Sequence, residues 1–372
     1  MPSFSVSPVF RTWAEIDPSA LRHNLSVVRA RVGAAPGILA VVKANAYGHG
    51  AVEVVKALAD QVRIFGVANI AEADEVESVG TGREVMILSP CLPAEYREAV
   101  ERGFVVTVSS AAEAAALAAI GPARINFKVD TGMGRAGVWW EHAESELRRI
   151  AGLAGITVHS LSTHLPAPDE DEEFTRSQLE HFRGLTGVLR GGAAGVLVHS
   201  LNSAGILRFP EFAGDIVRAG LVLYGVSPVP DYQDLLRPAL AWKSRVTLVR
   251  DLPKGAGVSY GRTFIAPKDL RIGLLAIGYA DGYPRHLSGR GASVLIGGKA
   301  CPILGRVTMD QVVVDLSASP ETLSGDEVVL VGRQGRAEIT ATELAARAGT
   351  ISWDLLTGIS NRVVRIFPDA AA

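Results

Sequence analysis

One rhythm constrains this chain more than any other feature. Between residues 38 and 225, short apolar runs rich in β-branched residues return eight times. They are "ILAVVK" (38–43), "IFGVAN" (64–69), "VMILS" (85–89), "FVVTVS" (104–109), "INFKVD" (125–130), "TVHSLSTH" (157–164), "VLVHSLN" (196–202) and "DIVRAGLVLYG" (215–225). Alanine-rich stretches of helical character, such as "AVEVVKALADQ", "IAEADEVESVG" and "SSAAEAAALAAIG", lie between them. Eight strands alternating with helices predict an α/β fold, a (β/α)8 TIM barrel. A doubly wound open sheet is the competing topology, but no G-x-G-x-x-G follows the first strand.

The texture changes near Leu236. "WKSRVTLVRDLPKG", "LRIGLLAIGYADGY", "ASVLIGGKACPILGRV", "QVVVDLS" and "DEVVLVGRQG" alternate and are punctuated by Gly and Pro, as antiparallel strands are. One helix, "TATELAARAG" (340–349), interrupts them, with Thr340 and Glu343 spaced as a capping box. The expected organisation is a barrel over 11–235 and a mainly-β domain over 236–372, with residues 1–10 available to add a strand to the latter.

Bulk properties narrow the function classes. A formal net charge of −2 argues against a nucleic-acid surface. No run approaches the roughly 20 apolar residues of a membrane helix. The first residues, "MPSFSVSPVFRTWAEID", lack the apolar core of a signal peptide. The expectation is a cytoplasmic protein with neither membrane nor nucleic acid as partner. Cys91 and Cys301 have no metal-type spacing, and no histidine pair supplies one, so no metal is expected. The acidic run "PDEDEEF" (168–174) reads as a solvated helix start.

Barrel chemistry sits at the C-terminal ends of the strands. Lys43 ends the first run and Tyr47 follows it. Lys128 lies in the fifth, before a glycine-rich loop, "DTGMGRAG", that carries Arg135. His164 ends the sixth, the seventh runs into Asn202 and Ser203, and the eighth holds Arg218, Gly220 and Leu221. Lysine is scarce: 43, 56, 128, 243, 254, 268 and 299 are the only ones among 37 basic residues. Where arginine supplies the surface charge, a lysine at a strand end offers what arginine cannot, an amine that loses its proton. Taken alone, Lys43 also fits a lysine that snorkels at a strand rim.

The segments "AVVKANAYGHG", "KVDTGMGRAG", "STHLPAPDE", "HSLNSAGIL", "VRAGLVLYG", "GVSYGRTF", "IGYADGYPR" and "GRVTMDQ", in this order from residue 40 to 311, resemble the successive signatures of the alanine racemase family, and "RVVRIF" near the end is similar too. That resemblance implies pyridoxal 5'-phosphate on the barrel, a C-terminal β domain and interconversion of L- and D-alanine, supplying D-alanine for peptidoglycan. It implies Lys43 as the cofactor's imine-forming lysine and the base on the D side, and Tyr260 as the base on the L side. A free phenol titrates near about 10, so Tyr260 needs a polar neighbourhood to act at neutral pH; the family supplies it with His164 and Arg218. Tyr260 comes from the partner subunit in the family, which implies a homodimer with shared sites.

The same resemblance places Arg218 against the cofactor's ring nitrogen. Because arginine remains a donor, the ring nitrogen would stay unprotonated and the electron sink weak, favouring racemisation over transamination. Asn202, Ser203, Gly220, Leu221 and Tyr47 would surround the cofactor and its phosphate. Arg135 would meet the cofactor's phenolic oxygen and, with the Met309 N–H, the substrate carboxylate. Lys128 would orient Arg135, as a carbamate in some family members. Tyr279, Asp310, Arg285 and Arg306 would line the corridor to the site. Asn361 stands where some members carry tyrosine, which leaves open a pocket that also takes serine or other amino acids. Outside enzymes, a non-catalytic pyridoxal-phosphate-binding carrier shares a barrel and a lysine, but such carriers lack the β domain.

Overall fold

The computed structural model describes residues 10–189 and 195–368. The chain forms two compact units: one is Ala20–Ala46 with Gly50–Arg237, and the other joins the residues up to Ser19, Tyr47–His49 and the residues from Pro238.

In the first unit, strands pair in parallel in the order Ile216–Ala219, Gly37–Val41, Ile64–Val67, Glu84–Pro90, Val105–Val108, Ala123–Asp130, Ile156–Ser162 and Leu197–His199. At the seam between the ends of this series, the Arg218 N–H donates to Leu201 O at 3.0 Å. The unit is a (β/α)8 barrel. Its strands are apolar without alternation because both faces are covered: Ile64–Val67 and Val105–Val108 are buried at every position. Gly66 is required by the packing, since a Cβ there would stand 2.5 Å from Leu39 Cδ2 and 2.9 Å from Leu88 Cδ1. The helices Ile70–Ser78 and Ala111–Ala118 start on side-chain caps: Asn69 Oδ1 accepts the Glu72 N–H at 3.0 Å, and Ser110 Oγ accepts the Glu113 N–H at 3.2 Å.

The second unit is a nine-stranded, mainly antiparallel sheet. The strands Leu240–Leu252, Leu270–Leu275, Val312–Asp315, Lys299–Leu304, Ser293–Ile296 and Glu327–Gln334 pair in turn, and the last returns to the first, closing a ring. Buried Trp242 and Tyr283 meet edge-on at 5.7 Å in its core. The helix Ala341–Ala348 begins where Thr340 Oγ1 accepts the Glu343 N–H at 3.0 Å.

Thr12–Ile16, within the span 11–235 that the sequence assigns to the barrel, pairs instead in the β unit. It lies antiparallel to Leu240–Ser244 and parallel to Val364–Ile366. Its partners lie more than 200 residues away, beyond the reach of any local pattern. Of the proposed strand over 1–10, residues 1–9 lie outside the described residues.

Candidate active site

Lys43 follows the Gly37–Val41 strand and is half-buried. Burial, then the Arg135 guanidinium, lowers its pKa below that of an ordinary lysine, while Glu72 pulls the other way. The backbone then turns left-handed. Ala44, Asn45 and Ala46 all have φ 52° with ψ of 48–52°, and Tyr47 follows at φ 53°. No glycine relieves these four positions, and each L residue there costs about 1–2 kcal/mol. Such strain persists only where the surroundings hold it. Ala46 N–H donates to Val42 O at 2.8 Å, Gly50 N–H to Asn45 O at 3.0 Å and Ala51 N–H to Asn45 Oδ1 at 2.8 Å.

At the end of the Ala123–Asp130 strand, Lys128 is buried among cations. Burial and the charges of Arg218 and Arg135 bring its pKa down to about 8, against a weaker opposing effect of Asp130. Asp130 shapes the glycine-rich loop. Its Oδ1 accepts the N–H groups of Gly132, Met133 and Gly134 at 2.9, 2.8 and 3.1 Å, and its Oδ2 accepts that of Arg135 at 3.2 Å. Gly137, at φ 122°, lets the loop fold back, since a Cβ would meet Asp130 N at 2.8 Å.

Arg218 is buried at the seam, and its guanidinium is fully committed on one side. Nη1 donates to His199 Nδ1 at 2.9 Å and His199 O at 3.0 Å; Nη2 donates to Thr163 O, Ser200 O and His164 Nδ1 at 2.8, 2.9 and 3.1 Å. A guanidinium only donates, so both histidines accept at Nδ1 and carry their proton on Nε2. Burial and Arg218 hold the pKa of each well below the usual 6.5, so both are neutral. Burial lowers the pKa of Arg218 itself only to about 10, which leaves it charged at neutral pH.

Asn202, not Ser203, caps the helix Ser203–Arg208: its Oδ1 accepts the Gly205 N–H at 3.0 Å, and its Nδ2 donates to Leu165 O at 3.1 Å. Ser203 Oγ accepts the N–H groups of Gly220 and Val222 at 3.1 and 3.3 Å. A hydroxyl has two acceptor positions and one donor, so Ser203 has its O–H left to give. Leu221 follows at the start of the turn Leu221–Tyr224.

The β unit holds the remaining candidates. Tyr260 is 71% exposed, on a loop where Ser259, Gly261 and Arg262 have φ of 60°, 73° and 48°. Ser259 Oγ anchors that loop by donating to Arg306 O at 2.7 Å. Tyr279 N–H donates to Thr308 O, and Ala280 N–H to Met309 O, each at 3.0 Å. This approach needs Gly278, where a Cβ would lie 2.2 Å from Met309 O. Asp310 pairs with Arg362 at 2.8 Å, and Arg362 reaches Asp281 at 3.3 Å. Arg285 heads a short turn whose Ser288 Oγ accepts the Val307 N–H at 3.0 Å. Tyr47 also belongs to this unit, and burial raises its phenol to about 12. Beside it Gly48 O accepts Arg365 Nε at 2.9 Å, and buried His49 sets Nδ1 2.9 Å from Tyr47 O.

The sequence comparisons settle the family. Residues 16–228 match the family described as "Alanine racemase, N-terminal domain", and residues 239–367 match "Alanine racemase, C-terminal domain". The chain belongs to the alanine racemase family. It is 40% identical over 370 residues to the alanine racemase of Methylacidiphilum infernorum, covering 98% of this chain and 94% of that protein. It is 41% identical to that of Symbiobacterium thermophilum, covering 96% and 97%. Among solved structures, the alanine racemase of Bacillus anthracis with bound L-Ala-P superposes with a TM-score of 0.90 at 33% identity, covering 98% of this chain and 97% of that one.

In the barrel unit, Lys128 and His164 each lie within electrostatic reach of Lys43, Arg135 and Arg218. In the sequence His199 looks structural and Asp130 has no evident role. His199 lies inside a strand, where it looks like a core histidine. Asp130, directly before Thr-Gly-Met-Gly, carried a usable signal, because an aspartate there caps successive backbone N–H groups. The donor set fits pyridoxal phosphate: two amines of lowered pKa, Lys43 and Lys128, a buried cation in Arg218, and the Ser203 hydroxyl with its O–H left to give. Among the described residues no group of three or more His, Cys, Asp or Glu could hold a metal ion.

Proposed function

We propose that this chain racemises alanine with pyridoxal 5'-phosphate held on Lys43, as a homodimer in which the β unit of one subunit supplies Tyr260 to the barrel of the other. The observation that carries this reading is the buried Arg218 guanidinium, which donates to His164 Nδ1 at 3.1 Å and His199 Nδ1 at 2.9 Å on the same barrel whose first strand leads into Lys43. Once bound, the cofactor supplies the electron sink that makes the α-proton of alanine removable.

The protein's own residues do the rest. Lys43, whose neutral form is favoured by its surroundings, moves a proton at Cα on one face, and the Tyr260 phenol does so on the other. Arg218 would donate to the ring nitrogen of the bound cofactor without surrendering a proton, and neutral His164 would offer its Nε2–H as a hydrogen bond to the Tyr260 oxygen. Arg135 and the Met309 N–H orient the substrate carboxylate. Ser203, Gly220, Leu221, Asn202 and Tyr47 would hold the cofactor and its phosphate. Burial and the neighbouring cations bring the Lys128 pKa down to about 8, which favours the neutral amine that carbamate formation needs, and the carbamate would orient Arg135. Tyr279, Asp310, Arg285 and Arg306 form the corridor. The product would serve peptidoglycan synthesis in the cytoplasm.

The test is an absorbance scan of protein supplemented with pyridoxal phosphate, then chiral analysis of products from L-alanine and L-serine. A band near about 420 nm that borohydride abolishes, with label on Lys43, and D-alanine as main product are expected. Absence of both the band and D-alanine overturns the reading.

A further inference from the structure

The left-handed turn after Lys43 is gripped from outside by one carboxylate. Glu72 Oε1 accepts the Ala44 N–H at 2.8 Å, and Glu72 Oε2 accepts the Ala68 N–H at 2.7 Å. Ala44 directly follows Lys43, and Ala68 directly follows the neighbouring strand, Ile64–Val67. One side chain thus spans the C-terminal ends of two adjacent barrel strands, through charge-assisted bonds on both oxygens. We propose that Glu72 is a positioning residue for Lys43, fixing the turn that follows the lysine against the end of the next strand.

A second glutamate separates this role from ordinary helix capping. Glu113 holds the same helical position as Glu72: Ser110 caps its helix as Asn69 does the other, and Glu113 Oε2 accepts the Ser109 N–H at 2.8 Å, as Glu72 Oε2 accepts that of Ala68. The capping arrangement therefore uses one carboxylate oxygen. The other oxygen of Glu113 makes no hydrogen bond among the described residues, whereas that of Glu72 reaches Ala44. The extra bond falls beside the only left-handed run of four non-glycine residues among the described residues. Without it the Ala44 N–H loses a charged acceptor and the turn loses its outer brace. Lys43 would then sample other positions, although its own side chain is unchanged.

The inference rests on the cofactor reading for its consequence, but not for its geometry, so the experiment has two arms. Glu72→Gln and Glu72→Ala are compared with Glu113→Gln, which removes a matched cap only. In the cofactor-free protein, amide exchange of the peptide spanning 43–51 should accelerate about tenfold or more in both Glu72 variants and stay unchanged in Glu113→Gln. In the second arm, pyridoxal phosphate should bind the Glu72 variants about tenfold to a hundredfold more weakly and form its lysine-linked absorbance more slowly. Unchanged exchange in Glu72→Gln overturns the proposal, as does faster exchange with cofactor binding intact. Global unfolding of Glu72→Gln, with Glu113→Gln folded, would mean a general structural role and overturn it as well. If the unmodified protein takes up no pyridoxal phosphate, the cofactor reading fails, and the exchange arm still decides whether Glu72 holds the turn.

Discussion

The two units carry their functional candidates in opposite ways. In the barrel, Arg218 is buried with five hydrogen bonds, and Asp130 takes four backbone N–H groups to shape one loop. In the β unit, Tyr260, Met309 and Tyr279 are 71%, 53% and 42% exposed, on loops braced by backbone hydrogen bonds and by a few side chains such as Ser259 and Asp310. A group that must keep an unusual protonation state is best buried among fixed partners. A group that must be delivered to another surface is best displayed on a stiff support. The contrast is between charged groups buried among fixed partners in the barrel and exposed side chains carried on braced loops in the β unit.

The largest expected effect tests that contrast directly. Lys43→Ala and Tyr260→Phe should each lose about 10²–10⁴-fold in turnover. Mixed and reassembled as dimers, they should recover up to about a quarter of the original activity, because half the dimers then hold one intact site of two. No recovery, with mixed dimers demonstrated by mass spectrometry, would mean that each chain completes its own site. Arg218→Lys comes next. It keeps the charge but loses the planar fork, stranding buried carbonyls, and should cost about 3–5 kcal/mol of stability in urea titrations. Tyr260→Phe should cost almost none, and equal losses would erase the distinction between the units.

Asp130→Asn should raise KM for alanine by about tenfold while lowering kcat less, since an amide places a donor against N–H groups that need an acceptor. Acid should weaken the barrel first. His164 and His199 stay neutral in the folded barrel but protonate below about 6.5 once unfolded. The unfolded state then binds more protons, so stability falls as pH drops below that value, by up to about 2.7 kcal/mol per pH unit for the two together. Urea midpoints at pH 7.5 and 5.5 measure it; a flat profile would show that the histidines are charged when folded. The smallest effect concerns one buried cysteine in each unit. Burial raises Cys91 to about 12 and Cys301 to about 11, so neither should react with a thiol reagent in the native protein.

What could be seen in the sequence follows the same division. The barrel strands are local facts, runs such as Ile64–Val67 whose β-branched and aromatic composition suits only burial on both faces. Lys43, Lys128, Arg135, His164 and Arg218 stand out because charge at the end of such a run is costly without a use. Thr12–Ile16 and Tyr47–His49 could not be assigned to the β unit, because their partners, including Leu240–Ser244 and Arg365, are distant in the chain. His199 and Glu72 look ordinary in line, one a strand residue and the other a first-turn glutamate. Their importance arises only when neighbouring strands bring Arg218 and Ala44 to them.

The left-handed turn from Ala44 to Tyr47 has a consequence for chirality. Backbone at φ 52° and ψ 52° is the mirror image of an ordinary right-handed helical turn, so it is the conformation a D-amino acid prefers. Replacing Ala44 or Ala46 by D-alanine through chemical ligation should therefore stabilise the fold, by about 1–2 kcal/mol at each position, where nearly any such change elsewhere in a helix or strand would break it. The chain would then tolerate, beside its own lysine, the enantiomer that its family is named for interconverting.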